Sequence, residues 1–142
     1  EVVLVSVLSG ALPFTLELIK HLTFDVFMDY VSSSSYKFSE KVSEPQIKYE
    51  AKIPLGGKHV LLVDEIIDTG STINKIATVL KGYEPESISI AALIVKPGRQ
   101  KIDFEQHYCI EQHTDEFLIG FGLDWDEKYR NLPYIASVKK EK

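Results

Sequence analysis

Apolar and polar positions along the chain follow two periods, which predict strands that alternate with helices. A continuous apolar run at 60–63, typical of a strand buried on both faces, is joined by largely apolar segments at 2–8 and 87–95 that also predict strands. Helical spacing, with apolar residues three or four apart, covers 13–22 and 72–81. The apolar face of the first helix is assigned to Leu12, Leu16, Ile19 and Leu22. This alternation predicts an α/β fold with a central, mostly parallel sheet flanked by helices.

Weaker patterns complete the outline. Further strands are expected at 24–31 and near 107–110, 118–120 and 134–138. The interval 32–58 has no sustained periodicity and contains four consecutive serines and two prolines. Because it is too long for a simple connector, we expect it to be a mobile functional loop that closes over a site.

The segment 59–73, HVLLVDEIIDTGSTI, contains most of the candidate chemistry. Asp64 and Glu65 are expected at the carboxyl end of a strand, where open α/β sheets bind ligands. The turn 68–72 then lies at a helix N-terminus, where backbone N–H groups and the helix dipole favour a phosphate. The acid pair can accept hydrogen bonds from a vicinal diol or help to hold Mg²⁺ through water. A phosphate at one end and a diol at the other describe a ribose 5-phosphate.

Other interpretations of this segment exist. VLLVDE also resembles a Walker B strand or the acidic strand end of a receiver domain, but the GxxxxGK[ST] partner of a Walker B strand is absent. An acid pair at a strand end is often only a solvated terminus. Asp68 could be an N-terminal helix cap. The three hydroxyl residues and the glycine of DTGST favour a ligand site over a simple turn.

VLLVDEIIDTGSTI resembles the phosphoribosyl pyrophosphate motif of type I phosphoribosyltransferases, and the rest of the chain is similar to their hypoxanthine-guanine branch. SVLSGALPF at 6–14 resembles the pyrophosphate loop, and DYVSSSSY at 29–36 resembles the start of the mobile catalytic loop. LIVK at 93–96 matches the strand that delivers a purine-reading lysine. DEFLIGFGLDWDEKYRNL at 115–132 matches the base-binding and metal-binding segment. The last two motifs separate this branch from the orotate and adenine enzymes.

The resemblance implies one phosphoribosyltransferase domain over 1–142, with a small C-terminal hood and a mobile loop at 32–58 that carries Ser35 and Tyr36. The family's N-terminal hood segment is expected to be missing. The implied reaction transfers a 5-phosphoribosyl group from phosphoribosyl pyrophosphate to hypoxanthine or guanine, with Mg²⁺ as cofactor. The residues expected to bind phosphoribosyl pyrophosphate are Ser9, Gly10, Asp64, Glu65, Thr69, Gly70, Ser71, Thr72 and Arg130.

The resemblance also assigns roles around the purine. Asp68 is the expected general base. Lys96 would donate a hydrogen bond to the 6-oxo group, Phe117 would stack on the ring, and the backbone of Leu118 would meet its Watson–Crick edge. The expected metal ligands are Asp64, Glu65 and Asp124.

The chain departs from the family pattern at two points of the site. Ser9 stands where the family usually has lysine, which removes a cation near the leaving group. Asp64-Glu65 reverses the usual Glu-Asp order, which preserves charge but moves each carboxylate by one methylene.

Composition limits the partners. A formal net charge of −5 over 142 residues argues against a general nucleic-acid surface. No apolar run reaches transmembrane length, so no membrane partner is expected. The single cysteine, Cys109, is interpreted as a core residue and fits a reducing cytoplasm. The expected partners are phosphoribosyl pyrophosphate, a 6-oxopurine and further copies of the chain in a dimer or tetramer.

Two alternatives to this function stay open. One is a non-catalytic regulator that senses phosphoribosyl pyrophosphate with the same fold, and the other is a xanthine-preferring transferase. A sensor need keep only the ribose-phosphate site. The joint presence of Asp68, Lys96, Asp124 and Arg130 therefore favours an enzyme.

Overall fold

The computed structural model describes residues 1–34 and 46–138, which contain a six-stranded sheet. Its spatial order is β3-β2-β1-β4-β5-β6, and neighbours run parallel except for the antiparallel pair of β2 and β3. These strands are β1 (Val2–Leu8), β2 (Val26–Ser34), β3 (Gln46–Lys48), β4 (His59–Ile67), β5 (Ser87–Val95) and β6 (Glu105–Glu111). A separate antiparallel pair consists of β7 (Phe117–Ile119) and β8 (Ala136–Val138).

Two helices cover opposite faces of the sheet. Helix α1 (Leu12–Ile19) follows β1 and packs through Phe14 on the face that contains Leu4. Helix α2 (Ser71–Lys81) follows β4 and packs through Ile73, Ile76, Ala77 and Leu80 on the face that contains Val3 and Val5. Successive strand residues point to opposite faces, so the two clusters are separate layers. The predicted mostly parallel sheet flanked by helices is confirmed.

The order of the strands creates a switch point between β1 and β4. These two strands are neighbours, but α1 leads from β1 outward to β2, whereas α2 leads from β4 outward to β5. The chain therefore moves away in opposite directions at the carboxyl ends of this pair. In open α/β sheets the crevice formed there is the usual ligand site.

The predicted apolar face of α1 is wrong in part. Leu12 and Leu16 are 39% and 55% exposed, whereas Thr15 is fully buried. Thr15 Oγ1 lies 2.8 Å from Ser6 Oγ, so two hydroxyls satisfy each other inside the core. Because the sequence pattern counts threonine as polar, it predicts the wrong buried face for this helix. The helix also ends at Ile19 rather than at 22.

The acid pair lies within β4 and not after it. The strand continues to Ile67 because β5 keeps pairing with it as far as Ile67↔Val95. Pairing with β1 ends earlier, at Ser6↔Val63. Asp64 and Glu65 therefore sit on the part of β4 that extends past its contact with β1, beside the switch point.

Part of the interval 32–58 is regular structure, since β2 ends at Ser34 and β3 occupies Gln46–Lys48. Ser35 and Tyr36 lie outside the described residues. The buried carboxylate of Asp29 accepts hydrogen bonds from Tyr49 Oη (3.1 Å) and the backbone N of Lys52 (3.0 Å). This carboxylate joins β2 to the chain that follows β3.

The assignment of Cys109 to the core is wrong. Its side chain is exposed because β6 is an edge strand, along which six of seven side chains are exposed. Apolar character in the sequence does not show which strand forms the edge. Among the described residues, no helix is long and apolar enough to cross a membrane.

Candidate active site

The loop after β1 touches the acid pair on β4. Gly10 is buried, and a Cβ built on it would lie 2.2 Å from Oε1 and 2.8 Å from Oε2 of Glu65. The Glu65 carboxylate thus occupies the space that a side chain at position 10 would need. Ser9 is exposed beside it. The structure therefore brings together the predicted pyrophosphate loop and the predicted ribose-binding acids.

The two acids of this pair have different environments. Asp64 is only 7% exposed, and its Oδ1 accepts a hydrogen bond of 2.9 Å from the backbone N of Glu65. Burial, together with the neighbouring Glu65 carboxylate, holds the pKa of Asp64 well above its usual range. Glu65 is partly exposed, and its Oε2 is buried without a hydrogen-bond partner among the described residues.

The unpartnered Glu65 oxygen is a test of whether Mg²⁺ fits this site. A buried carboxylate oxygen without a donor calls for a ligand hydroxyl or a cation, and carboxylate oxygens suit Mg²⁺. The described residues contain no group of three or more His, Cys, Asp and Glu side chains that could hold a metal alone. Mg²⁺ usually keeps several waters and shares its coordination with substrate phosphates, so the acid pair fits that kind of partial site.

The turn between β4 and α2 has the geometry of a phosphate site. Gly70 is the N-cap of α2 with φ of +83°, so the N-cap residue itself has no side chain with which to cap the helix. The alternative in which Asp68 is the cap is therefore wrong. Thr69 Oγ1 accepts a hydrogen bond of 3.3 Å from the backbone N of Ser71. Asp68, Thr69 and Ser71 are exposed and Thr72 is half-buried, so the turn is accessible to a ligand.

The loop 96–101 is bound to this turn by main-chain hydrogen bonds. Lys96 N donates to Ile67 O (2.9 Å), and Lys101 N donates to Thr69 O (3.2 Å). The backbone of the half-buried Lys96 consequently lies next to Ile67, the residue that precedes Asp68. The predicted purine-reading lysine and the predicted base thus lie close together at the carboxyl ends of β4 and β5.

Sequence reasoning missed Arg99 on this loop. Its Nη1 lies 3.8 Å from Asp68 Oδ1, and its Nη2 forms an ion pair with Asp115 Oδ1. A lone arginine next to a Pro-Gly turn is usually a surface charge. The only signal was its position, three residues after Lys96.

The predicted purine-stacking ring is available to a ligand. Phe117 is 43% exposed and packs edge to face on Trp125, with ring centroids 5.0 Å apart and planes at 73°. Trp125 was also missed, and its place in the quoted 115–132 motif was the available signal. Leu118 is half-buried in the β7–β8 pair.

Arg130 and Asp124 are in contact with each other. Arg130 Nη2 lies 3.2 Å from Asp124 Oδ1, and Nη1 donates to Gly122 O at 2.7 Å. A Cβ on Gly122 would lie 1.9 Å from Gly10 O, so the backbone of this turn packs directly against the backbone of the predicted pyrophosphate loop. The structure thus brings Arg130 and Asp124 to the loop, although each already has a partner.

Comparison with known proteins gives consistent relatives. Residues 1–127 match the family described as phosphoribosyl transferase domain. The chain is 39% identical over 140 residues to the hypoxanthine-guanine phosphoribosyltransferase of Streptococcus pneumoniae, covering 98% of this chain and 78% of the relative. It is 41% identical over 139 residues to that of Streptococcus thermophilus, covering 97% and 77%. A crystal structure of a hypoxanthine-guanine phosphoribosyltransferase from Bacillus anthracis superposes with a TM-score of 0.84 at 34% identity, covering 97% of this chain and 80% of that one.

Gly70→Ala and Gly98→Ala form a matched pair that tests the packing of the turn between β4 and α2. Both glycines have φ of +83°, so each alanine should cost about 1–2 kcal/mol of unfolding free energy. Only at Gly70 would the Cβ also meet Ile102 Cγ1, at 2.8 Å. We expect Gly70→Ala to cost roughly 1–3 kcal/mol more than Gly98→Ala in urea unfolding, the range for overpacking. Equal losses would contradict the close packing of this turn.

Proposed function

This chain belongs to the phosphoribosyl transferase family, on its hypoxanthine-guanine branch, and we propose how its residues divide the chemistry of that branch. The enzyme is a purine salvage transferase: it moves a 5-phosphoribosyl group from phosphoribosyl pyrophosphate to hypoxanthine or guanine and releases pyrophosphate. The observation that carries this function is about 40% identity over nearly the whole chain to enzymes of that name. The structure supports it, because the loop after β1, the acid pair on β4 and the turn before α2 lie at the same end of the parallel strands.

The ribose 5-phosphate would bind between the turn 69–72 and the acid pair. The N-terminus of α2 offers backbone N–H groups to the phosphate, with hydroxyls of Thr69, Ser71 and Thr72 nearby. The carboxylate of Glu65 would accept hydrogen bonds from the ribose diol, which would give its unpartnered oxygen a donor. The pyrophosphate would lie against Ser9, Gly10 and Arg130.

Asp64, Glu65 and Asp124 are the residues that would hold Mg²⁺ together with oxygens of the substrate. When bound, Mg²⁺ would act as a Lewis acid and a template for the pyrophosphate. Glu65 supports this role because its buried oxygen has no partner among the described residues. Asp124 would have to loosen its 3.2 Å contact with Arg130 in order to take part.

The reaction exchanges one bond for another at C1 of the ribose. The imidazole nitrogen of the purine forms the new bond, the bond from C1 to pyrophosphate oxygen breaks, and its electron pair leaves with pyrophosphate. Asp68, within hydrogen-bond reach of the imidazole ring, takes the proton that the attacking purine must lose and so acts as general base. Lys96 donates to the 6-oxo group, which selects oxopurines, while Phe117 stacks on the ring and the backbone of Leu118 meets its Watson–Crick edge.

We also propose a homo-oligomer in the cytoplasm. Met28 and Tyr30 point to the same face of β2 and are 46% and 45% exposed, and exposed large side chains of this kind often belong to subunit interfaces. The single free cysteine is compatible with a reducing compartment. The net charge of −5 does not favour nucleic acid as a partner.

The substrate assay tests the function directly. Purified protein with phosphoribosyl pyrophosphate and Mg²⁺ should convert hypoxanthine or guanine, because Lys96 can donate to a 6-oxo group but not to the amino group of adenine. Nucleotide formation is measured with each base, with xanthine, adenine and orotate as comparisons. Equal turnover of adenine, or undiminished activity in chelator, would defeat the proposal. Ligand binding without turnover would indicate a sensor.

Asp68→Asn tests the general base. The amide keeps the size of the side chain but cannot take the purine proton, so turnover should fall by roughly 10²- to 10⁴-fold. Affinity for phosphoribosyl pyrophosphate, measured by calorimetry, should change little because other residues hold that ligand. Asp103→Asn, an exposed acid near the same loop, is the control and should retain activity. Near-normal turnover of Asp68→Asn would rule out its role as the base.

Ser9→Lys tests the departure in the pyrophosphate loop. A lysine there would add a cation to the loop proposed for the pyrophosphate, next to Gly10, which touches Glu65. We expect affinity for pyrophosphate to rise by about 2- to 10-fold, which corresponds to roughly 0.5–1.5 kcal/mol. Because the gain is electrostatic, it should shrink at high salt. The neutral Ser9→Gln is the control, and an equal gain in both variants would argue against a charge effect.

A further inference from the structure

Arg99 connects two carboxylates that lie on different segments of the site. Its Nη1 is 3.8 Å from Asp68 Oδ1, and its Nη2 forms an ion pair with Asp115 Oδ1. Asp68 directly follows β4, and Asp115 precedes Phe117 by two residues. One guanidinium therefore joins the proposed general base to the segment that leads into the strand carrying the proposed purine-stacking ring.

The backbone determines where Arg99 lies. Lys96 N donates to Ile67 O, and Lys101 N donates to Thr69 O, so both ends of the loop 96–101 are attached to the residues on either side of Asp68. Asn74 Nδ2 of α2 also donates to Lys101 O at 2.5 Å. These hydrogen bonds hold the backbone of the loop that carries Arg99 beside Asp68, so the guanidinium has only a short distance to span.

The contact between Arg99 and Asp68 is weak enough to leave the carboxylate free to react. Arg99 and Asp68 are about half exposed, at 49% and 48%, and an ion pair of this kind typically contributes at most about 1 kcal/mol to stability. At 3.8 Å the pair is also longer than a hydrogen bond, so both oxygens of Asp68 can still accept a proton. A closer, bidentate pair would compete with the purine for the same lone pairs.

We propose that Arg99 is a positioning residue for the transfer reaction: it orients the Asp68 carboxylate toward the imidazole nitrogen whose proton it takes and, through Asp115, ties that orientation to the segment that leads into the proposed purine-binding strand. The inference rests on the role of Asp68 as the base. It goes beyond that role because it assigns a purpose to a residue outside the matched motifs. Misplacing a reacting group by about 1 Å can cost up to 100-fold in rate, so an orienting contact of this kind has a measurable effect.

The test compares Arg99→Gln and Arg99→Lys with wild type in steady-state turnover and in direct binding of phosphoribosyl pyrophosphate. Arg99→Gln should lower kcat by about 10- to 100-fold while the dissociation constant of phosphoribosyl pyrophosphate changes less than twofold. Arg99→Lys keeps one positive charge within reach of Asp68 and should recover part of the lost kcat. The same kcat for all three proteins, or a loss that appears only in ligand affinity, would overturn the proposal.

A double-mutant cycle separates positioning from an independent role. If Arg99 acts through Asp68, then Arg99→Gln should have no further effect on kcat in an Asp68→Asn background. A further loss of the same size there would show that Arg99 acts without Asp68 and would refute the proposal. The Asp68→Asn single variant tests the base on its own, so failure of that assignment is recognised separately.

Two controls exclude a general loss of structure. Lys20→Gln breaks an exposed ion pair with Glu17 at the end of α1 and should leave kcat unchanged. Asp115→Asn removes the second partner of Arg99 and should lower kcat in the same direction as Arg99→Gln, but less. Thermal unfolding of each variant should stay within a few degrees of wild type, since exposed pairs contribute little. An Asp115→Asn variant with wild-type kcat would refute the link to the purine-binding strand.

Discussion

The backbone of Gly10 is in contact with two other segments of the chain, and the site depends on the absence of a side chain there. A Cβ on Gly10 would lie 2.2 Å from Glu65 Oε1, and a Cβ on Gly122 would lie 1.9 Å from Gly10 O. Three segments that are remote in sequence thus approach one another so closely at Gly10 that no side chain fits between them. The loop proposed for pyrophosphate, the strand that carries the acid pair and the turn that contains Asp124 and Arg130 are held together by this contact.

The sheet makes that contact possible because β1 and β4 are neighbours whose helices leave on opposite faces. The resulting crevice is open at the carboxyl ends of both strands. Pairing of β4 with β5 continues past the end of its pairing with β1, so Asp64 and Glu65 lie on a hydrogen-bonded strand beside the crevice, and Glu65 touches the loop after β1. Carboxylates placed on a strand are held more precisely than carboxylates on a free loop.

Charge is the second organising feature of the site. Its acids outnumber its cations, and two of the cations are already shared among carboxylates: Arg130 contacts Asp124 and Glu127, while Arg99 contacts Asp68 and Asp115. The serine at position 9 further reduces the positive charge available to an anionic substrate. A substrate that arrives with its own divalent cation would correct this balance. The raised pKa of Asp64 comes first from its burial, and the neighbouring Glu65 carboxylate adds to it.

The sequence alone determined the parallel sheet and the segment 59–73, because buried strands and a glycine turn before a helix depend on local pattern. It placed Cys109 in the core and missed Thr15, and the structure reversed both. Tertiary structure also decided that Arg99 reaches Asp68. The physical reason is common to all three: edge position, the pairing of two hydroxyls and an ion pair across loops arise from contacts between distant segments, and periodicity within one segment carries no information about its neighbours.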